Sequence, residues 1–198
     1  NTPTRLFLIP YSSFYLNSPA NEKAYGTIKG GLDLKYGLTD AFTLDMVLIP
    51  DFGQTKFDDK VLNLGPFEQV FNENRPFFTE GTDLFNKGGL FYSRRIGQRA
   101  SIYPEKNDNE EVLEYPSTID LVNAVKISGR TKEGLGIGFL NTVTKKTDVV
   151  IRDIKTGAER VETVEPLANY NVLVLDQRFN GNSSVSLINT NVTRNGDF

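Results

Sequence analysis

Two neighbouring segments of this chain alternate between apolar and polar residues with a period of two. Successive side chains of a β-strand point to opposite faces, so this pattern predicts a hairpin with one apolar face. That face points into the core of a soluble β-sandwich, but it points out toward lipid in an outer-membrane β-barrel. The apolar members of the two segments are Leu32, Leu34, Tyr36 and Leu38, then Phe42, Leu44, Met46 and Leu48.

Composition restricts the chemistry that this chain can perform. Its 198 residues include no cysteine and no histidine, which excludes disulfides, thiolate nucleophiles, Ser-His-Asp triads and nearly all transition-metal sites. We therefore predict no metal and no cofactor. A net charge of -3 gives no indication of nucleic-acid binding. The mean hydropathy of -0.33 argues against a helical membrane protein, whereas the alternating strands of a membrane barrel are only mildly hydrophobic on average.

The sequence predicts seven strands, near residues 4–15, 31–39, 42–49, 120–130, 134–144, 170–179 and 184–193. Short turns join the second strand to the third, the fourth to the fifth and the sixth to the seventh. The other connections are long, at about 15, 70 and 25 residues. Outer-membrane barrels have this alternation, with short periplasmic turns and long outer loops. A further hairpin at 148–166 is expected to extend two of the strands beyond the membrane.

The expected fold class is all-β: an antiparallel meander that forms part of an outer-membrane β-barrel. Single-chain bacterial barrels have an even number of strands, whereas seven are predicted for residues 1–198. An open seven-stranded sheet would also expose two unpaired edges. We therefore expect this chain to be a partial barrel domain of a longer protein.

The segment 51–118 is predicted to be a folded insert. Seven phenylalanines lie between Phe57 and Phe91, too many for a solvated loop, and connections of this length are uncommon and often functional. We expect a short helix at 65–71, where Pro66 suits a first helical turn. The insert would act as a plug inside the barrel or as an extracellular cap. The acidic run 105–114 lacks EF-hand spacing and is expected to be a solvated outer loop.

Charged side chains of the insert are the candidates for chemistry. Two carboxylates can hydrolyse a glycoside without histidine, which makes Glu68, Glu80 and Asp83 the catalytic candidates. The binding candidates are Arg75, Tyr92, Arg94 and Arg95. The alternative is structural: the arginines and carboxylates, with Glu73 among them, pair with one another and hold the insert together.

Several stretches together resemble one family. They are GLDLKYGLT at 31–39, DFGQ at 51–54, VLNL at 61–64, RPFFTEG at 75–81 and LFYSRRIG at 90–97. They resemble the domain of unknown function that follows a family-9-like carbohydrate-binding module in envelope proteins of Bacteroidota. The resemblance implies an N-terminal β-sandwich module ahead of an outer-membrane barrel. Some members are labelled membrane-associated hydrolases, but the resemblance supplies no catalytic residues.

Three function hypotheses follow. The first is an outer-membrane barrel protein for uptake or surface handling of glycans or related nutrients. Its partners would be outer-membrane lipid, polysaccharide or oligosaccharide, and other parts of the same polypeptide, with no nucleic acid. The second is a membrane-associated glycan hydrolase that uses the insert carboxylates. The third is a soluble β-rich, carbohydrate-associated interaction domain whose leucine face is buried against another sheet.

Overall fold

A computed structural model of the protein describes residues 5–17, 25–50, 70–98, 100–116, 118–179 and 183–196. In these residues it contains ten strands and one short α-helix, α1 (Pro76–Thr79). The strands are β1 (Leu6–Asn17), β2 (Tyr25–Gly37), β3 (Phe42–Leu48), β4 (Glu110–Val112), β5 (Leu121–Arg130), β6 (Leu135–Thr144), β7 (Thr147–Asp153), β8 (Glu159–Glu165), β9 (Ala168–Phe179) and β10 (Ser183–Arg194).

Seven strands form one antiparallel sheet in the order β1-β2-β3-β5-β6-β9-β10, which we call the main sheet. The predicted all-β antiparallel meander is confirmed. Short turns join β2 to β3, β5 to β6 and β9 to β10 at one end of the strands, which we call the turn end. We call the opposite end of the strands the loop end. The start of β2 differs from the prediction, because residues 25–30 pair with residues 12–17 of β1. The glycines at 26 and 30 give no strand signal in the sequence.

The two faces of the main sheet differ in chemistry. Leu34 pairs with Met46 on one face, which we call the outer face, and Lys35 pairs with Asp45 on the other, the inner face. The outer face carries apolar side chains on all seven strands. None of them belongs to the buried cores of the described residues; Leu8, for example, is 57% exposed. They include Leu6, Leu8, Leu32, Leu34, Leu44, Met46, Val125, Ile127, Ile137, Phe139, Leu173, Leu175, Val185 and Leu187.

Residues 70–98 of the insert pack on the inner face. Phe85 is 1% exposed and lies against β6, where Gly138 leaves room for its ring: a Cβ at that position would lie 3.1 Å from Phe85 Cζ. The predicted helix at 65–71 lies largely outside the described residues, and the described helix α1 begins at Pro76. The buried interface is formed by Phe77, Phe78, Leu84, Phe85 and Ile96 of the insert and by Val47, Leu121, Ala124, Leu140, Val172 and Val174.

A small second sheet, in the order β4-β7-β8, lies at the loop end. The β7–β8 hairpin continues β6 and β9 and has its own core of Val149, Ile151 and Val164. The expectation of a solvated loop at 105–114 is wrong for β4. Glu110–Val112 pairs with β7, and Val112 packs on the hairpin core. In the described part of the chain, no helix is long and apolar enough to cross a membrane.

Candidate functional site

Strand register brings charged residues from separate strands together on the inner face. Paired positions on an antiparallel sheet are direct neighbours, so each row across the strands forms one continuous strip. One row contains Phe7, Lys35, Asp45, Lys126 and Leu140, and the next contains Ile9, Asp33, Val47, Ala124 and Thr142.

Lys126 attaches the insert to the main sheet. Its side chain is 1% exposed, and its Nζ donates hydrogen bonds to the backbone oxygens of Phe77 (2.6 Å) and Glu80 (2.5 Å). The same ammonium lies 3.5 Å from Asp45 Oδ2 and 4.7 Å from the centroid of the Phe77 ring. The last carbonyls of a helix lack partners within the helix, and a lysine can supply them. Lys126 therefore fixes the C-terminal end of α1 above β5.

Asp176 forms a second attachment between the insert and the sheet. This fully buried carboxylate accepts hydrogen bonds from Lys87 of the insert, from Arg130 of β5 and from Ser186 Oγ of β10 (2.6 Å). Arg130 also donates to the backbone oxygen of Gly134 at 2.6 Å. Because both oxygens of Asp176 accept charge-assisted bonds, its burial is compensated. The insert is thus held at two points, one on β5 and one on β9.

Arg75 holds the insert together internally. Its Nε and Nη2 donate to the two carboxylate oxygens of Glu73 at 2.8 and 2.7 Å. Its Nη1 donates to Ile96 O at 2.6 Å and its Nη2 to Ser93 O at 2.8 Å. Burial raises the pKa of Glu73, but the hydrogen bonds and charge of Arg75 outweigh it and keep the pKa below its ordinary value. This arrangement matches the structural alternative, in which insert charges pair with one another.

A cavity of about 490 Å³, which we call the β2–β3 cavity, lies between the insert and the first strands of the main sheet. This volume lies in the range typical of small-molecule sites. Its lining combines apolar and charged side chains, among them Phe7, Ile9, Val47, Pro76, Phe77, Asp33, Lys35, Asp45, Glu80 and Lys126.

Some charged groups of the β2–β3 cavity have hydrogen-bond partners and others have none among the described residues. Lys35 Nζ donates to Glu80 Oε2 at 2.6 Å, and this bond lowers the pKa of Glu80. By contrast, Asp33 Oδ1 and Asp45 Oδ1 are buried and have no hydrogen-bond partner among the described residues. Buried polar atoms are normally paired, so two orphan acceptors in one cavity indicate missing donors. In the described part of the chain, no group of three or more acidic residues is arranged to hold a metal.

Two smaller cavities lie along the same face. One of about 300 Å³ is lined by Asp83, Lys87, Arg130 and Arg178 near the turn end. The other, of about 170 Å³, lies toward the loop end, and its polar lining includes Arg95, Gln98, Ser101, Glu165, Tyr170 and Arg194.

The two catalytic candidates that the structure describes line different cavities. Glu80 lines the β2–β3 cavity, Asp83 lines the 300 Å³ cavity, and Glu68 lies outside the described residues. Their catalytic role stays a prediction.

The binding candidates lie at different depths in the insert. Arg75 is buried, Arg94 is half-buried, and Arg95 is exposed and lines the 170 Å³ cavity. The Arg95 guanidinium lies 5.7 Å from the ring of Tyr92, whose hydroxyl accepts a hydrogen bond from Phe71 N at 2.8 Å. Their role in ligand binding likewise stays a prediction.

Four charged residues of the strands line the β2–β3 cavity but are not among the candidates predicted from the sequence, which all lie in the insert. They are Asp33, Lys35, Asp45 and Lys126. The sequence does indicate that the first three share a face. They alternate with the leucines of the predicted hairpin and must therefore lie on its opposite face.

Fold and cavities define a class of all-β proteins in which one sheet has an apolar outer face and carries a folded insert on a charged inner face. The chain belongs to the family described as a domain of unknown function (DUF5916), whose model matches residues 2–198. Comparison with curated proteins and with solved structures gave no match.

Proposed function

We propose that this chain is part of an outer-membrane β-barrel of a Gram-negative, Bacteroidota-type envelope and serves in uptake or surface handling of glycans or related nutrients. The main sheet would be barrel wall, and residues 70–98 would be part of a plug on the lumen side. The main support for this proposal is that the outer face is apolar on all seven strands and lies opposite the insert. Exposed apolar surface of this extent requires a partner, and lipid is a partner that covers every strand alike.

The borders of the apolar face support lipid as that partner. Barrel membrane bands are flanked by aromatic residues, and Tyr36, Phe42 and Phe179 lie on the outer face near the turn end. On β1 and β2 the same face stays apolar toward the loop end, with Phe14 and Ile28 exposed, whereas on β6, β9 and β10 it becomes polar. There Asn141 Nδ2 donates to Asn169 Oδ1 at 2.6 Å and to Asn171 Oδ1 at 2.7 Å.

Strand length is also compatible with a membrane wall. A tilted transmembrane strand needs about 9–11 residues. Six of the seven strands have 10 to 13 residues, and β3 has 7. The outermost strands of the main sheet are β1 and β10, and closure would pair them with further strands of the same polypeptide.

Two observations support glycans as the ligand class. The resemblance to proteins with a carbohydrate-binding module suggests glycans, and the inner-face cavities offer room for a small ligand. Hydrolysis by Glu68, Glu80 or Asp83 stays a prediction, because Glu80 and Asp83 line separate cavities.

Spin labelling of β10 tests the barrel proposal. This chain contains no cysteine, so single substitutions in the full-length protein, freed of any thiol elsewhere, give unambiguous sites. Val185→Cys and Leu187→Cys report the outer face, and Ser184→Cys and Thr190→Cys report the inner face of the same strand. After reconstitution into phosphatidylcholine vesicles, we expect the outer-face labels to be several-fold more accessible to oxygen than to a water-soluble nickel chelate. The inner-face labels should show the reverse preference.

Two results would overturn the barrel. If nickel chelate reaches both sets of labels equally, the outer face lies in water. If neither reagent reaches the outer-face labels and the protein stays monodisperse without detergent, that face is buried against protein, as in the soluble-domain hypothesis.

A further inference from the structure

The β2–β3 cavity has an excess of hydrogen-bond acceptors. The ammonium of Lys126 already donates to two backbone oxygens, and that of Lys35 donates to Glu80. Asp33 Oδ1 and Asp45 Oδ1 accept no hydrogen bond from any described residue. Rotation about χ2 of an aspartate is a soft motion, so either oxygen can turn toward the cavity. A ligand that fits this site must therefore supply donors.

The charge balance of the cavity disfavours an anionic ligand. Three carboxylates, Asp33, Asp45 and Glu80, face two ammonium groups, those of Lys35 and Lys126. Asp45 lies 3.9 Å from Lys35 and 3.5 Å from Lys126, so its charge is already largely balanced. Hydroxyl groups satisfy the acceptors and leave this balance unchanged, whereas an anionic ligand would be repelled by the carboxylates.

The β1 side of the cavity is apolar. Phe7 and Ile9 of β1 are 60% and 57% exposed although both lie on the inner face, and they are neighbours of Lys35 and Asp33 in the strand register. A wall with hydrophobic side chains beside a few directed polar groups is typical of small-molecule sites. A pyranose ring has the matching form, with C–H groups on its faces and hydroxyls at its edge.

We propose that the β2–β3 cavity binds a neutral saccharide, with Asp33 and Asp45 as hydroxyl acceptors and Phe7 and Ile9 as the apolar wall. This inference rests on the proposed role in glycan handling and names the site that would perform it. Glu80 then has a positioning role. Its Oε2 accepts a hydrogen bond from Lys35 Nζ at 2.6 Å and fixes Lys35 at the rim of the site.

Isothermal titration calorimetry tests the site in the full-length protein, held in a detergent without a sugar headgroup. The probes are maltotriose, cellotriose and xylotriose, with butylammonium as a cationic comparison. We expect at least one trisaccharide to bind, and Asp33→Asn and Asp45→Asn each to weaken that binding about tenfold or more, because hydrogen bonds to a charged acceptor are the stronger kind. The matched control, Asp148→Asn, removes an exposed carboxylate of β7 outside the cavity and should leave the affinity unchanged.

Heat-modifiable mobility in gel electrophoresis serves as the check on folding. A heat-modifiable protein that binds none of the trisaccharides at millimolar concentration, or binds them equally well in both aspartate variants, overturns the saccharide site and leaves the barrel standing. Butylammonium binding that both variants abolish, without saccharide binding, makes this a cation site and also overturns the proposal. Saccharide binding by a protein without heat-modifiable mobility supports the site and counts against the barrel.

Discussion

At the scale of single residues, the insert depends on Glu73 and Arg75. Their side chains are 13% and 7% exposed, and their paired hydrogen bonds leave little freedom to either. The Arg75 guanidinium also lies 4.3 Å from the ring centroid of Phe78 and donates to two backbone carbonyls. The ion pair therefore contacts both the hydrophobic interface and the backbone of the insert. Removing one member of such a pair leaves the other charge buried, which costs about 3–5 kcal/mol in measured cases.

We predict that Glu73→Gln lowers the free energy of unfolding of the insert by about 3 kcal/mol at neutral pH. The folded state lowers the pKa of Glu73 relative to its ordinary value of 4.5. Its ionised form therefore stabilises the fold above that ordinary pKa, and the contribution is lost as the pH falls through the folded value. Limited proteolysis of residues 70–98 between neutral and acidic pH should show this loss in the wild type and not in the variant.

Glu159→Gln is the matched control for this experiment. Glu159 also pairs with an arginine, at 2.8 Å from Arg152, but both side chains are nearly half exposed. Surface pairs contribute about 0–1 kcal/mol, so we expect little effect. Equal sensitivity of the two variants would show that burial of Glu73 is not what stabilises the insert.

The residues of the candidate site were only partly predictable. The common face of Asp33, Lys35 and Asp45 follows from their alternation with leucines, which is a local property of one hairpin. The contact of Lys126 with the carbonyls of Phe77 and Glu80 joins residues more than forty positions apart. No spacing in the sequence indicates it, because it depends on where the insert folds back onto β5.

At the scale of elements, hairpins with short turns were predictable and long-range pairings were not. The β2–β3, β5–β6 and β9–β10 pairs follow from alternation on either side of a turn. β4 has three residues in an acidic run, and its structure depends on partners far along the chain. Arg160 of β8 donates hydrogen bonds to Glu110 of β4, and these bonds, with those from Asn107, lower the pKa of Glu110 to about 2.

The small sheet should unfold separately from the main sheet, because its core is separate. We predict that Ile151→Ala, at a fully buried position of β7, destabilises the small sheet by about 3 kcal/mol. Hydrogen exchange should show faster exchange in β4, β7 and β8 with β5 and β6 unchanged. Val161→Ala, at a position on β8 that is 68% exposed, is the control and should have little effect. Loss of protection in both sheets together would mean that they form one cooperative unit.

At the scale of the whole molecule, the sequence predicted the two faces but not their surroundings. Alternation is the same in a sandwich and in a barrel, so Leu34 and Leu44 alone cannot distinguish them. The position of the insert adds a constraint. It covers the charged face and buries Phe77 and Phe85 there, and the leucine face stays uncovered among the described residues. A partner that covers apolar side chains on seven strands must be sought outside this part of the chain.

Substitution by arginine at two positions of one strand tests whether that partner is lipid. Leu187 and Asn191 lie on the outer face of β10, the first in the apolar region and the second in the polar border, and both are exposed. A charge at the bilayer midplane of a barrel costs about 2–4 kcal/mol and close to the interface about 0–1 kcal/mol. We therefore predict that Leu187→Arg lowers the free energy of unfolding from phosphatidylcholine vesicles by about 2–4 kcal/mol and that Asn191→Arg changes it little, as measured by urea titration. Both variants add the same side chain to the same face, so a difference between them reports depth in the bilayer; equal effects would place the whole face in a single environment and contradict the barrel.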